Sequence, residues 1–181
     1  MAKKIGILAI HGDVAEHAAI LRKLKLDSVE VRTKKDFKNL DGLILPGGES
    51  TTISKLAERF GLIAEIKKFA KSRKPILGTC AGLILLAKIG LLDAKVERNA
   101  YGRQLDSFEA DLKIPIISKG PISVAFIRAP KILSTGKVVE VLAKFEKVPV
   151  LIRQKNILAA SFHPEILGTT SIHKFIFLNA K

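Results

Sequence analysis

KPILGTCAGLILLAKI, residues 74–89, changes its hydrophobic pattern halfway along. Residues 74–79 form a short apolar run of buried-strand length, and residues 81–89 read as a helix. Between them stands the chain's single cysteine, in the setting Gly78-Thr79-Cys80-Ala81-Gly82. A strand that passes directly into a helix is half of a βαβ unit. The rest of the chain has to supply the other halves.

It does so on the N-terminal side. KIGILAI (4–10) is a second buried strand, and residues 14–24 follow as a helix with Val14, Ala18, Leu21 and Leu24 at helical spacing. SVEVRT (28–33) alternates as a strand, and DGLILPGG (41–48) is a buried strand running into a Pro-Gly-Gly loop. Ser50 or Thr51 is placed to cap a helix, and residues 62–72 read as another. Strands alternating with helices predict a mostly parallel sheet with helices on both faces, a three-layer αβα sandwich. Beyond residue 94 strands predominate: 95–99, 107–112, 122–128, 137–145, 148–154 and 157–163, with a closing helix over 169–178. Neither a linker nor an internal repeat is visible, and 181 residues suit one domain spanning 1–181.

Composition narrows the function classes. No apolar run approaches the roughly 18–20 residues of a membrane span, so a membrane partner is not expected. The basic start MAKK and the strand after it lack a small-residue cleavage site, so a signal peptide is not expected either. A single cysteine cannot close an intramolecular disulfide, which fits a reducing cytoplasm. The net charge of +14 raises nucleic acid as a partner. Against it, the lysines are scattered, and with no Trp and one Tyr there are few platforms for stacked bases. A solvated basic surface, or one facing an acidic partner, accounts better for the charge.

G-x-C-x-G at a strand-to-helix turn has the form of a nucleophile elbow with Cys in place of Ser. The glycines permit a tight turn that projects the side chain, and a helix beginning at Ala81 directs its positive end at the sulfur. The Ala81 N–H is then available to an oxyanion. Taken alone, the motif leaves open an inert, buried cysteine.

A nucleophile needs a base, and the chain has four histidines: His11, His17, His163 and His173. His17 and His173 fall within helices, where solvent-facing or half-buried structural roles are expected. His163 stands at the end of a strand in Ser-Phe-His-Pro-Glu-Ile. An extended His-Pro-Glu puts His163 and Glu165 on one side, and Pro164 keeps His163 out of a helix. Glu165 would then orient the imidazole while its other nitrogen reaches Cys80. An ordinary surface His-Glu pair is the plainer alternative. LPGGESTT (45–52) lacks the lysine and spacing of a phosphate loop, and Glu49 would repel phosphate. An oxyanion loop beside a carboxylate for a substrate ammonium group fits better. No Cys or His spacing resembles a metal site, and no cofactor is implied.

Taken together, GTCAG, HPE and PGGEST resemble the class I glutamine amidotransferases of the Cys-His-Glu type. More narrowly, LILPGGESTTI, GTCAGLILLAK, VERNAYGRQLDSFEADL, FIRAP and ASFHPE are similar to the glutaminase subunits of pyridoxal 5′-phosphate synthase. The likeness covers nearly the whole chain. It implies hydrolysis of L-glutamine to glutamate, with ammonia passing to a synthase subunit that builds the vitamin B6 cofactor. It assigns Cys80 as nucleophile, His163 as base and acid, and Glu165 as orienting carboxylate. Gly47, Gly48 and Glu49 match the glutamine-binding loop, and Arg98, Ile127 and Arg128 match further glutamine contacts. Gly48 and Ala81 fall at the oxyanion hole.

Two departures stand out. LAIHG places His11 where the family usually has Gln, near the oxyanion region. The segment between Lys88 and Leu91 is short, which trims a loop. Three other readings stay open at this point: a glutaminase serving a different synthase, such as that of imidazole glycerol phosphate; a cysteine peptidase or chaperone-like protein with the same elbow; and a non-catalytic basic binding module.

Overall fold

The computed structural model describes residues 2–98 and 107–179. The 99–106 part of the VERNAYGRQLDSFEADL string lies outside the described residues. In chain order the first half runs β1 (Lys4–Leu8), α1 (Val14–Lys23), β2 (Asp27–Val31), β3 (Gly42–Leu45), α2 (Ser50–Arg59) and α3 (Leu62–Lys71). Then come β4 (Ile76–Thr79), α4 (Ala81–Lys88) and β5 (Ala94–Glu97). The second half contributes β6 (Ser107–Leu112), β7 (Ile122–Ile127), β8 (Lys131–Thr135), β9 (Glu140–Phe145), β10 (Val148–Gln154), β11 (Ile157–Ala160) and α5 (Ser171–Lys174).

Seven strands form one sheet in the order β2-β1-β3-β4-β11-β10-β9. The five from β2 to β11 are parallel, while β10 and β9 continue the sheet antiparallel. Side chains alternate between its faces, as a pleat requires. Ile5, Ile7, Ile44, Leu77 and Leu158 enter one core with Leu21 of α1 and Ile172 of α5. Leu8, Leu43, Leu45, Ile76 and Ala159 enter the other with α2, α3 and α4. These are the three layers predicted from the strand–helix alternation. Strands buried on both faces read as unbroken apolar runs, which is why β1, β3 and β4 stand out in the sequence.

The second half departs in detail. β8 pairs with β5, and β6 with β7, as separate two-stranded ribbons. The predicted strand over 137–145 begins only at Glu140, because Gly136 turns the chain, with its N–H on the Asp93 carbonyl at 2.8 Å. The strand over 157–163 stops at Ala160. The closing helix is one α-turn followed by a wider, π-type turn at Phe175–Asn179.

Gly82 shows what positions the elbow. A Cβ there would run into the Leu45 carbonyl, so the bare glycine lets α4 lie against β3. Gly82→Ala is expected to cost about 1–3 kcal/mol through overpacking, read as a lower urea midpoint at unchanged slope. Unaltered stability would show that this helix has room to move.

Candidate active site

β4 ends at Thr79 and α4 begins at Ala81, so Cys80 occupies the turn between them. Its backbone has φ 46 and ψ −100, a conformation that side chains other than glycine rarely adopt. Such strain persists only where surrounding structure imposes it. Here the Cys80 N–H bonds the Ala160 carbonyl of β11 at 2.8 Å. The thiol is buried and free, with Sγ 3.9 Å from the Ile127 carbonyl oxygen.

His163 comes from beyond the end of β11. A two-way bridge to Ala125 of β7 holds its backbone, with His163 N to Ala125 O at 2.7 Å and Ala125 N to His163 O at 3.3 Å. The ring Nδ1 lies 2.8 Å from Glu165 Oε1, and both residues are buried. The His-Pro-Glu spacing therefore delivers the pair expected of it. The ring and Cys80 line the same cavity, and the thiol is one of the neighbours that raise the His163 pKa. With Nδ1 engaged by the carboxylate, Nε2 is the nitrogen left for the sulfur.

A second carboxylate, which the sequence reading missed, also reaches Nδ1. Asp13 Oδ2 lies 3.2 Å away, with 28% of its side chain exposed. Asp13 precedes α1 but makes no side-chain cap bond to it. Nothing in the sequence beyond a helix-start Asp marks it. Burial alone would lower the His163 pKa, but hydrogen bonds to Asp13, Cys80 and Glu165 and the Glu165 charge outweigh it and push the value up to about 12. Burial pushes the Glu165 carboxyl up, and the bond and charge of His163 oppose that rise. Asp13, His163 and Glu165 are the one group among the described residues whose ligand-type atoms converge, within 4.8 Å. The short Nδ1–Oε1 bond already occupies two of those atoms.

A cavity of ≈ 630 Å³ opens over the sulfur. It draws together His11, Gly48, Glu49, Arg98, Ile127 and Arg128, with Cys80 and His163 in its wall. Six residues singled out in the sequence thus meet at one place. Gly47 stands behind them, where a Cβ would strike the His163 ring, and its carbonyl accepts the Asp13 N–H at 3.3 Å. Gly48 has φ 138, and a Cβ on it would lie 3.2 Å from His11 Cδ2. Ala81 is buried as the first residue of α4.

Glu49 corrects the helix start. It is Glu49, not Ser50 or Thr51, that caps α2, accepting the N–H of Thr51 at 3.0 Å and of Thr52 at 2.6 Å. The Thr52 hydroxyl donates to it as well, at 2.7 Å. The Thr52 hydroxyl and the backbone N–H groups hold its carboxyl down at about 2, so it faces the cavity as an anion. Arg98 Nη2 lies 3.3 Å from Glu49 Oε1. The two charges read as glutamine contacts therefore pair with each other across the cavity.

The remaining histidines depart from the sequence reading. His17 and His173, expected to face solvent or to be half-buried, are fully buried. For His17 the signal was present: it follows Val14 by three and precedes Leu21 by four, which places it on the apolar face of α1.

Comparison with known proteins gives the family and the fold. The model of the SNO glutamine amidotransferase family matches residues 7–180. A protein of Pseudothermotoga lettingae called pyridoxal 5′-phosphate synthase subunit PdxT is 49% identical, over 94% of this chain and 92% of its own. A crystal structure described as a glutamine amidotransferase superposes with TM-score 0.90 at 44% identity, covering 95% of this chain and 96% of that one. PurLQS from Thermotoga maritima shares the fold alone, with TM-score 0.81 at 18% identity and full coverage of both chains.

Proposed function

The chain belongs to the SNO glutamine amidotransferase family, and from that membership we propose that Cys80, His163 and Glu165 carry out its chemistry. It is a glutaminase, a hydrolase acting on the amide of L-glutamine, and a subunit of pyridoxal 5′-phosphate synthase that works with the synthase subunit. We read residues 1–181 as one amidotransferase domain that acts in the cytoplasm and passes ammonia to the synthase. No described helix is long and apolar enough to cross a membrane. The observation that carries the assignment of roles is the 2.8 Å His163–Glu165 bond beside a strained elbow cysteine.

The steps follow from the geometry. The Cys80 sulfur attacks the carboxamide carbon, forming a C–S bond while the carbonyl π pair moves onto oxygen. The N–H of Ala81, at the start of α4, and that of Gly48 are the donors assigned to this oxyanion. His163, held protonated by its neighbours, gives its proton to the amide nitrogen, and the C–N bond breaks to release ammonia. Water then attacks the thioester while His163 takes its proton. Collapse of that intermediate breaks the C–S bond, frees glutamate and restores sulfur and imidazolium. Glu165 orients the ring throughout and moves no proton itself. Glu49 and Arg98 carry charges suited to the ammonium and carboxylate of glutamine. On this reading the substrate parts their ion pair.

The test supplies L-glutamine to the purified chain with and without the synthase subunit, following glutamate and ammonia. Equal amounts of both products are expected, formed faster with the synthase present. Free ammonium should replace glutamine as the nitrogen source for the synthase. Absence of glutamate in the complex would remove the glutaminase reading. Turnover unaffected by the synthase would remove activation by docking, which the Pro46-Gly47-Gly48 loop could relay because glycine peptides reorient at little cost.

A further inference from the structure

Behind Glu165, on the side away from the cavity, lie two histidines that the mechanism above does not use. His17 of α1 and His173 of α5 are both at 0% exposure, and α1 and α5 cover the same face of the sheet. His17 Nδ1 lies 2.8 Å from His173 Nε2. On its other edge, His17 Nε2 lies 3.2 Å from Thr79 Oγ1 and 3.4 Å from Glu165 Oε1. Thr79 is the residue before the nucleophile, and its hydroxyl lies 3.5 Å from the same carboxylate oxygen.

We propose that His173 and His17 form an uncharged donor relay of fixed tautomers that positions Glu165, and through it His163, for glutamine hydrolysis. This deepens the glutaminase reading and rests on it. The tautomers follow from what each nitrogen faces. Glu165 Oε1 is committed to the short bond with His163 Nδ1, so toward His17 it can act only as an acceptor. His17 Nε2 therefore carries the proton and donates to Oε1 and to the Thr79 oxygen. A neutral imidazole has one N–H, so His17 Nδ1 accepts and His173 Nε2 donates to it. That leaves His173 Nδ1 as a bare acceptor, and it is the ring nitrogen with no partner among the described residues. The opposite assignment would bury an unpaired N–H there and turn a lone pair of His17 toward a carboxylate oxygen. Each of those is costly in a dry interior.

Both rings stay neutral for reasons of place. Burial first, then the neighbouring His173 and His163, hold the His17 pKa well below its ordinary value. Burial alone lowers His173 to about 3. The groups facing His17 are Glu165, Thr79, His173 and, across Glu165, His163; Asp13 lies beyond His163. A neutral donor serves here where a cation would not, since a second positive charge would compete with the His163 imidazolium for Glu165. Hydrogen bonds in series strengthen one another, so His173 makes His17 a better donor. Oε1 then has donors on two sides, which fixes the plane of the carboxylate and the rotamer of His163. These are positioning residues. Neither lines the cavity.

The first measurement is nitrogen NMR of the uniformly labelled, unaltered protein. Both rings should read as Nε2-protonated tautomers, constant between pH 6 and 9, and this stands whether or not the protein hydrolyses glutamine. A His17 found protonated on Nδ1, or titrating within that range, would overturn the relay. The second is steady-state hydrolysis in the complex with the synthase. His17→Leu should lower kcat about 10- to 100-fold, the scale of losing an outer partner of a functional histidine, with KM little changed. His17→Gln, whose amide nitrogen falls near the position of Nε2, should recover most of the loss. His17→Leu that folds and keeps its kcat would show the two rings to be only a clamp between α1 and α5. If the unaltered complex forms no glutamate, the glutaminase reading fails, while the NMR result still decides the tautomers.

Discussion

Cys80→Ala and Cys80→Gly should both abolish glutamine hydrolysis, with kcat falling about 10⁴-fold or more as for loss of a nucleophile, yet they should differ in stability. The conformation at φ 46 and ψ −100 penalises any Cβ. Alanine keeps that penalty and glycine is relieved of it. The glycine variant should therefore be about 1 kcal/mol more stable than the alanine variant, since strain at positive φ outweighs the greater freedom glycine gives the unfolded chain. Urea denaturation of the two variants reads the difference. Cys80→Ser keeps the strain and a hydroxyl in place of the thiol. It too should be inactive, because His163 is already protonated when the nucleophile must attack, and a serine hydroxyl is far weaker as a nucleophile than a thiolate. Near-normal hydrolysis by any of the three would end the mechanism. Equal stability of the alanine and glycine variants would mean that the elbow is not strained, leaving the chemistry untouched.

That prediction rests on the part of the molecule most legible in its sequence. Residues 74–89 announce strand, turn and helix because β4 is buried on both faces and α4 is apolar almost all round. Proline made His163 and Glu165 legible, by forcing an extended segment in which alternate side chains share a side. The loop glycines and the charges of Glu49 and Arg98 pointed to the cavity, but the bond between those charges depends on tertiary placement across 49 positions of chain. β8 went unread because its strand alternates weakly and is half-exposed, so pairing with β5 rather than burial defines it. Asp13 illustrates the general limit: an Asp before a helix has a local explanation, and only the fold reveals that its carboxylate turns instead to His163. His17 and His173 show a different one. The helical phase of His17 was a sign of burial that the reading of the sequence passed over, but a buried histidine also needs a partner, and neither partner is within 60 positions of His17 in the chain.

Removing the base should cost nearly as much as removing the sulfur, and removing its carboxylate should leave a signature in pH rather than in rate alone. His163→Asn is expected to lose about 10²–10⁴-fold in kcat, the range of general acid–base catalysis. Glu165→Gln should lose less, because it orients the ring and does not exchange protons with the substrate. The pH effect has a definite sign. Ammonia departs only by accepting the proton of His163, so activity falls as pH rises through the value at which His163 gives up that proton. Burial lowers this value; Asp13, Cys80 and Glu165 raise it and prevail, at about 12. In Glu165→Gln the burial remains and the buried carboxylate is gone, so the alkaline limb must move down toward neutral pH. Asp13→Asn should move it in the same direction by less. Asp13 stands farther from Nδ1, at 3.2 Å against 2.8 Å, and water reaches its side chain and screens its charge. A pH–rate profile for each variant in the complex with the synthase makes the comparison. An alkaline limb unchanged in Glu165→Gln would mean that the carboxylate does not hold the proton on His163, and that the His-Pro-Glu segment only shapes the wall of the cavity.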